Sequence, residues 1–264
     1  MEITLTITDV TRMQKPRVCI GAIAEGGDSV RPVLPYPGIQ ESFLYAGHLQ
    51  VIRPFSRITL DLIKPVIDPP HTEDWRFTER VLAFRGVLDE KRRIELLEGI
   101  LDPSVNAIFG TSIHRSNGSG FVVYGSGRRS LGTIKTKTIA GVQVDSVNGR
   151  IRYQITFQDQ TNNAFTLSVT DLSFRYYVNY LIHQGFSFSQ VSRTIAEKLR
   201  KADTYLRIGL GRPWSPSETI AQNRCYLFIT GVYSLPDYLG GKCFADFKPN
   251  NGYPPYSDDD EIPF

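Results

Sequence analysis

The stretch that decides the fold is a β-hairpin signal in the second half of the chain, where residues 148–157 read NGRIRYQITF. An Asn-Gly pair between two extended runs is the strongest short signal for a two-residue hairpin turn. After the turn, Ile151, Tyr153, Ile155 and Phe157 alternate with polar residues, as in a strand with one buried face. The sequence therefore predicts an antiparallel strand pair whose second member begins at the turn.

The elements around this hairpin follow an order that is known from one fold. The same signals predict strands at 130–144, 150–157, 164–170, 205–211 and 224–233, and helices at 171–183 and 188–203. Three meandering strands, a helical insert and two more strands is the order of an OB-fold. The first half has a similar but poorer order, with predicted strands at 17–24, 29–33, 57–66 and 121–124 and helices from residue 72 and over 87–100. We therefore predict a mainly β protein with two tandem OB-fold-like barrels.

Charge is distributed unevenly along the 264 residues. Residues 1–127 hold 14 Lys and Arg against 15 Asp and Glu, residues 128–212 hold 13 against 5, and residues 213–264 hold 3 against 7. A basic middle and an acidic end favour a surface for a polyanion and a tail that can fold back on it. Ordinary surface charge is the alternative. We predict a first OB-like domain over 1–127, a second over 128–247, and a flexible, disordered acidic tail over 248–264.

Composition narrows the class of protein further. No apolar run is long enough to span a bilayer, and the N-terminal residues are not those of a signal peptide. Cys19, Cys225 and Cys243 lie far apart and form no CxxC pair, which argues against a zinc site and fits a reducing compartment. We therefore expect a cytoplasmic protein without a cofactor or a metal.

Six segments of the chain share a pattern with a known family. They are RVCIG at 17–21, VRPV at 30–33, PHTEDW at 70–75, TD at 170–171, RIGLG at 207–211 and CYLFITGVYSLPDYL at 225–239. Together they resemble the prokaryotic dual OB-domain proteins over residues 15–240. The resemblance implies two OB-folds in tandem and nucleic-acid binding, in antiviral settings, and it brings no catalytic residues with it.

The end of the chain carries a second resemblance. Its last residues are Asp258, Asp259, Asp260, Glu261, Ile262, Pro263 and Phe264. The last six look like the C-terminal tip of bacterial single-stranded DNA-binding proteins, with a Glu where an Asp is commoner. That likeness implies that the tip recruits replication and repair proteins and competes with DNA for a basic groove. The alternative is a solvated acidic end without a function.

Six cations in the basic middle are candidate phosphate contacts. They are Arg128, Arg129, Lys135, Lys137, Arg150 and Arg152. The last four alternate along the two predicted hairpin strands, so cross-strand pairing is expected to put them on one face, with the first two extending the patch. A merely solvated face is the alternative.

The last two predicted strands and the loop between them supply the candidate base contacts. They are Tyr205, Arg207, Arg212, Trp214, Tyr226 and Phe228. If these strands pair, their non-core residues share an exposed face, where bases stack on rings and cations follow phosphates. The loop between the fourth and fifth strands of an OB-fold commonly lines the ligand groove. The alternatives are that Tyr226 and Phe228 pack under the helices and that Trp214 is structural.

His71, Glu73 and Asp74 form the one cluster that resembles a metal or acid–base site, and helix capping explains it equally simply. We therefore predict a non-enzymatic protein that binds single-stranded DNA, or RNA, and that recruits partner proteins through its acidic end. Two alternatives stay open. One is a nucleic-acid or nucleotide sensor, or an interaction subunit, of an antiviral defence system. The other is a metal-dependent nuclease.

Overall fold

The computed structural model describes residues 1–116, 119–215 and 223–248. The first half contains seven strands among these residues. They are β1 (Glu2–Arg12), β2 (Val18–Ala24), β3 (Ser29–Val33), β4 (Tyr45–Ala46), β5 (Leu49–Gln50), β6 (Ser56–Pro65) and β7 (Asp74–Val87). Five of them close a barrel in the order β1-β2-β3-β7-β6, and β3 runs parallel to β7. This is the pairing order of an OB-fold, in which the third and fifth strands are parallel neighbours.

The rest of the chain builds a second, half-closed barrel with helices. Its elements are α1 (Glu90–Gly99), α2 (Val105–Ile108), β8 (His114–Ser116), β9 (Ser119–Val123), β10 (Leu131–Lys135), β11 (Thr138–Val147), β12 (Arg150–Gln158), β13 (Ala164–Val169), α3 (Leu172–His183), α4 (Phe188–Arg200), β14 (Asp203–Leu210) and β15 (Arg224–Leu235). The sheet order is β10-β14-β15-β13-β12-β11, with β13 parallel to β15. Two short 3-10 helices lie at Glu41–Leu44 and Phe244–Phe247.

Both halves therefore have the same strand pairing, and the predicted fold of two OB-fold barrels is confirmed. In the second half the first OB strand is divided into β10 and β11, because β10 pairs with β14 while β11 pairs with β12. Each barrel has its own apolar core, and α3 and α4 close the second one. Among the described residues, no helix combines the length and apolar character that a membrane crossing needs.

The deciding hairpin forms as predicted, for reasons that are local. Asn148 and Gly149 both have positive φ, at 52° and 77°, as the two-residue hairpin turn requires. Ile151 and Phe157 point into the second core. Downstream, the Asp171 carboxylate accepts hydrogen bonds from the backbone N–H groups of Ser173 and Phe174 and so caps α3, which corresponds to the helix predicted at 171–183.

Three predictions of local structure were wrong or incomplete. Residues 2–12, to which we assigned no element, form β1, the strand on which the first barrel closes. The helix predicted from residue 72 is instead the strand β7. Its ladders with β3 and β6 satisfy the backbone groups there, and its aromatic and β-branched residues suit a sheet. The helix predicted over 87–100 is present but shorter.

The segment between the two barrels packs mainly on the second one. Val105, Phe109 and Val122 lie in the second apolar core, and β9 pairs with β15. The division of the chain at residue 127 stays a prediction. The acidic tail predicted over 248–264 lies outside the described residues, except for Lys248.

Candidate nucleic-acid interface

An open groove lies where loops of the two barrels meet. Its cavity of about 270 Å³ is lined by Met13, Arg17, Cys19, Tyr36 and Arg212, among others. The groove is defined by these five residues. Met13 and Arg17 lie in the loop between the first and second strands of barrel one, and Arg212 lies in the loop after the fourth strand of barrel two. OB-folds bind oligonucleotides with loops of these two kinds. Cys19 lies in β2, and Tyr36 lies in the loop after β3.

The rim of the groove carries exposed cations and an exposed ring. Tyr36 is 91% exposed. Lys15 is exposed, and the half-buried Arg17 donates a hydrogen bond from Nη2 to Gln14 Oε1, at 2.7 Å. The Arg212 side chain is 42% exposed, and its Nη1 lies 2.7 Å from Asp74 Oδ2. The rim therefore offers both elements that single-stranded nucleic acid needs, a stacking ring and cations for phosphates.

Backbone contacts hold the loop after β14 against β15. The Gly211 N–H donates to the Tyr226 carbonyl, at 2.8 Å, and the backbones of Trp214 and Arg224 exchange two hydrogen bonds. The Trp214 ring is tilted against Tyr226, with centroids 6.1 Å apart. Arg212 is thus presented from a loop that is fixed on both sides of it.

A buried polar network lies beneath the groove, and it contains the cluster considered as a metal or acid–base site. Arg31 Nη1 lies 2.9 Å from His71 Nδ1 and 3.2 Å from Asp74 Oδ1, and Nη2 donates to Ser130 Oγ, at 2.6 Å. Glu73 accepts a hydrogen bond from the Ser130 backbone N–H, at 2.6 Å. The network therefore joins β3 and β7 of the first barrel to the start of the second.

The environment of His71 fixes its protonation state. Burial, and then the charge of Arg31, lower the pKa of His71 to about 2. The neutral ring accepts the hydrogen bond from Arg31. Within residues 1–116, 119–215 and 223–248, no group of three or more His, Cys, Asp and Glu side chains has the arrangement of a metal site.

The six predicted phosphate contacts do not form one patch. Arg128 is exposed, and Arg129 pairs with Asp102. Lys135 pairs with Asp203, at 3.1 Å, and Lys137 donates to Asn162 Oδ1. Arg152 pairs with Asp145, at 2.6 Å, and Arg150 is exposed.

The expected cross-strand pairing of the four hairpin cations was wrong. Lys137 is bonded through its backbone to Gln158, at one end of β12, whereas Arg150 and Arg152 lie at the other end. Eight residues of strand separate Gln158 from Arg150, which corresponds to about 26 Å. The reason is the register that the Asn148-Gly149 turn sets, because it places Arg150 opposite Val147 and Arg152 opposite Asp145, so that residues before Thr138 lie beyond the far end of β12.

The predicted exposed face of β14 and β15 is buried. Tyr205 and Arg207 are each 1% exposed, Phe228 is 5% exposed and Tyr226 is 9% exposed. The face lies on the side opposite the second core, as predicted, but other parts of the fold cover it. Arg207 contacts Asp9 of β1. Tyr205 donates a hydrogen bond to Glu98 of α1.

Tyr226 and Phe228 do not pack under the helices either. They form an apolar cluster with Phe121 of β9, against which Trp214 packs. Arg224 lies over the Phe121 ring, 4.4 Å from its centroid. Of the residues proposed as base contacts, the structure thus brings Arg212 to the groove, with Trp214 two residues further along the same loop, whereas Phe228 lines an inner cavity.

Four residues of the groove were not among the contacts predicted from the sequence, namely Met13, Arg17, Cys19 and Tyr36. An assignment of residues 2–12 as a strand would have identified the loop at 13–17 as the one between the first two OB strands. Its cations would then have been candidates by the argument used for Arg212. Tyr36 carries no comparable signal, since it lies in a loop that differs between the two barrels.

Comparison with known proteins agrees with this architecture. The sequence model of a protein family, the dual OB-containing domain, matches residues 3–232. The chain belongs to this family. No protein in the curated set matches it. The matched range begins in β1 and ends in β15, so it covers both barrels and leaves the acidic tail outside. Two OB-folds indicate nucleic-acid binding as the general class of function.

Proposed function

We propose that the protein binds single-stranded nucleic acid, single-stranded DNA above all, in the groove between its two barrels, and that it does so without catalysis. The observation that carries this proposal is the meeting of two OB ligand loops, one from each barrel, at Arg17 and Arg212. A strand that follows the groove contacts both barrels at once. Neither barrel alone offers this combination of loops.

The chemistry of the rim supports a single strand as the ligand. Lys15, Arg17 and Arg212 provide charges for phosphates, and Tyr36 provides a ring whose faces are open. A base stacked on an aromatic ring contributes roughly 1–3 kcal/mol. In a duplex the bases are stacked on each other, so this ring is of use only to an unpaired base.

The acidic tail is the second part of the proposal. Lys248, the residue before 249–264, lies with Nζ 2.6 Å from Glu41 Oε1, and the Glu41 N–H donates to the Pro16 carbonyl, at 3.0 Å. The tail is therefore attached beside the loop at 13–17 of the groove. Ten residues separate Lys248 from Asp258, and a chain of that length spans at most about 35 Å. The four carboxylates can thus reach the rim cations and compete with DNA, and Phe264 is the group through which partner proteins bind.

A second candidate is a sensor or interaction subunit of a defence system that binds a free nucleotide. A second, partly closed cavity beneath the groove favours this candidate, because small ligands bind in concave sites of this kind. For the metal-dependent nuclease we find no such observation, since Glu73 and Asp74 are engaged by Ser130 and by arginines.

Fluorescence titration tests the main proposal. Trp75 and Trp214 are the two tryptophans of the chain. Trp75→Phe leaves Trp214, beside the groove, as the reporter. Oligo-dT and oligo-rU should change the emission of Trp214. A plot of log affinity against log salt concentration should fall with a slope of about −0.7 for each phosphate contact. A duplex of the same length is the control and should bind more weakly. Tight binding of a mononucleotide without binding of an oligonucleotide would instead favour the second candidate.

A further inference from the structure

Beneath the groove a second, inner cavity of about 120 Å³ lies between the barrels. Asp9, Cys19, Leu131, Phe228 and Thr230 are among its lining residues. Met13, Cys19 and Arg212 line both the inner cavity and the groove. The two spaces therefore adjoin at these three residues, so the inner cavity lies directly next to a strand bound in the groove.

The inner cavity has apolar walls for an aromatic ring, and its volume of about 120 Å³ approaches that of a cavity known to hold one. An apolar cavity of about 150 Å³ is known to hold a benzene ring. Leu131, Leu210 and Phe228 form apolar walls here, and Asp9 and Thr230 are among the polar groups. A planar ring with a polar edge matches this arrangement of apolar walls and polar groups.

The charged groups around the inner cavity are already paired with one another, which favours a neutral ligand. Each arginine that lines it lies within 3.2 Å of a carboxylate, Arg12 of Glu41 and both Arg31 and Arg212 of Asp74. Asp9 is in turn paired with an arginine of β14. A phosphate placed inside would lose its hydration without a free cation to replace it. Phosphates are better placed at the rim, where Arg17 and Arg212 are accessible to solvent.

Two glycines leave space for the Asp9 carboxylate and the Phe228 ring, which line the inner cavity. A Cβ at Gly21 would lie 2.6 Å from Asp9 Oδ2, and one at Gly211 would lie 2.8 Å from the Phe228 ring. Neither glycine has a positive φ, so the backbone conformation does not require glycine at these positions. Glycine instead provides space at both positions. The Asp9 carboxylate and the Phe228 ring can lie against the backbone there, and the inner cavity stays open.

We propose that the inner cavity takes one nucleobase of the bound strand, with its ring against Phe228 and its polar edge toward Asp9 and Thr230. Asp9 Oδ2 accepts from Thr8 Oγ1 and from Arg207, whereas Oδ1 accepts from Thr230. A carboxylate oxygen can accept more than one hydrogen bond, so Asp9 can also accept from an N–H of the base. Turning a base out costs least in a strand that is already single. This inference rests on the proposed function.

The thiol of Cys19 gives a direct readout of occupancy. Cys19 is half-buried at the mouth of the inner cavity, whereas Cys225 and Cys243 are buried. The rate of maleimide labelling of Cys19 in the full-length protein is measured with intact oligo-dT and with a series in which each residue in turn is abasic. Intact oligo-dT should slow labelling by about tenfold or more. One abasic position should restore the rate and weaken binding by roughly ten- to hundredfold, with the salt dependence unchanged.

Two variants at the same position provide the matched control. Cys19→Phe fills the mouth, and Cys19→Ser leaves it open. Binding to Cys19→Phe should be weaker than binding to Cys19→Ser by a similar factor and should no longer depend on which residue is abasic. If Cys19→Phe does not fold, the abasic series on the parent protein decides alone.

The outcomes separate the two proposals. If oligo-dT binds with the expected salt dependence but no abasic position changes labelling, the inner cavity is not a base site, and the proposed function stands. If no oligonucleotide binds, both proposals are overturned. Protection of Cys19 by thymidine monophosphate without oligonucleotide binding would overturn both as well, since the inner cavity would then serve a free nucleotide.

Discussion

Arg207 of the second barrel and Asp9 of the first form a buried ion pair, in which Nε and Nη2 of the arginine both lie 3.0 Å from Oδ2. Their side chains are 1% and 3% exposed. Arg207 Nη1 also donates to Thr133 Oγ1, at 2.8 Å, and Thr230 donates to Asp9 Oδ1. This ion pair thus joins the two barrels through charges that are almost completely buried. Removal of either residue alone would leave the other one buried without its partner charge.

We expect Arg207→Ala to lower the free energy of unfolding by about 3–5 kcal/mol, because it leaves the Asp9 carboxylate buried without its cation. Urea unfolding measures the change. Arg57→Ala is the control, since Arg57 pairs with Glu25 at the surface and such pairs contribute about 0–1 kcal/mol. The double change of Asp9→Asn with Arg207→Met should cost less than Arg207→Ala alone. Equal effects of Arg207→Ala and Arg57→Ala would contradict a stabilising pair.

The groove cations can be compared with the hairpin cations in one experiment. Arg17→Ala with Arg212→Ala should weaken binding of oligo-dT and reduce the slope of log affinity against log salt by about 1.4, corresponding to two phosphates. Lys137→Ala with Arg150→Ala removes the same charge from the exposed hairpin and serves as the matched control. If the hairpin pair lowers the slope and the groove pair does not, the strand follows β12 instead of the groove.

His71 should make the protein less stable in acid. The pKa of His71 in the fold, about 2, lies below its usual 6.5 because of burial and the nearby Arg31. Between these two pH values the unfolded chain binds a proton that the folded protein does not. Stability should therefore fall as pH drops below about 6.5, by up to about 1.4 kcal/mol per pH unit from this residue. Urea unfolding from pH 7 to pH 4 should show a shallower pH dependence for His71→Gln. The exposed His48 provides the control variant, His48→Gln, and an equal effect of both substitutions would refute the role of His71.

Removal of residues 258–264 should tighten oligo-dT binding at low salt, on the order of tenfold, because a tethered competitor with four carboxylates is lost. The gain should shrink as salt rises, since the competing contacts are between solvated charges. Phe264→Ala keeps the carboxylates and should leave most of this restraint. An immobilised peptide of residues 258–264 should retain partner proteins, and the Phe264→Ala peptide should not. Equal DNA affinity with and without these residues would show that they do not restrain binding.

Local signals in the sequence were sufficient for most elements of the second barrel. The alternation after Asn148-Gly149, the helix predicted at 171–183 and the strand predicted at 205–211 each depend on residues close in the chain, and each corresponds to an element of the structure. The dual OB architecture followed from the order of these elements. It also followed from the resemblance to the family.

What only the tertiary structure decided is which faces remain open. Tyr205 and Arg207 alternate with core residues as exposed positions do, but α1 and β1 cover them with Glu98 and Asp9, about a hundred or two hundred positions away. Phe228 packs against Phe121 of β9. Alternation reports that a strand has two faces and cannot report whether a distant segment packs on the second one. For the same reason the sequence does not show that Arg17 and Arg212 line one groove. No local pattern connects these two residues, and only the packing of one barrel against the other brings them together.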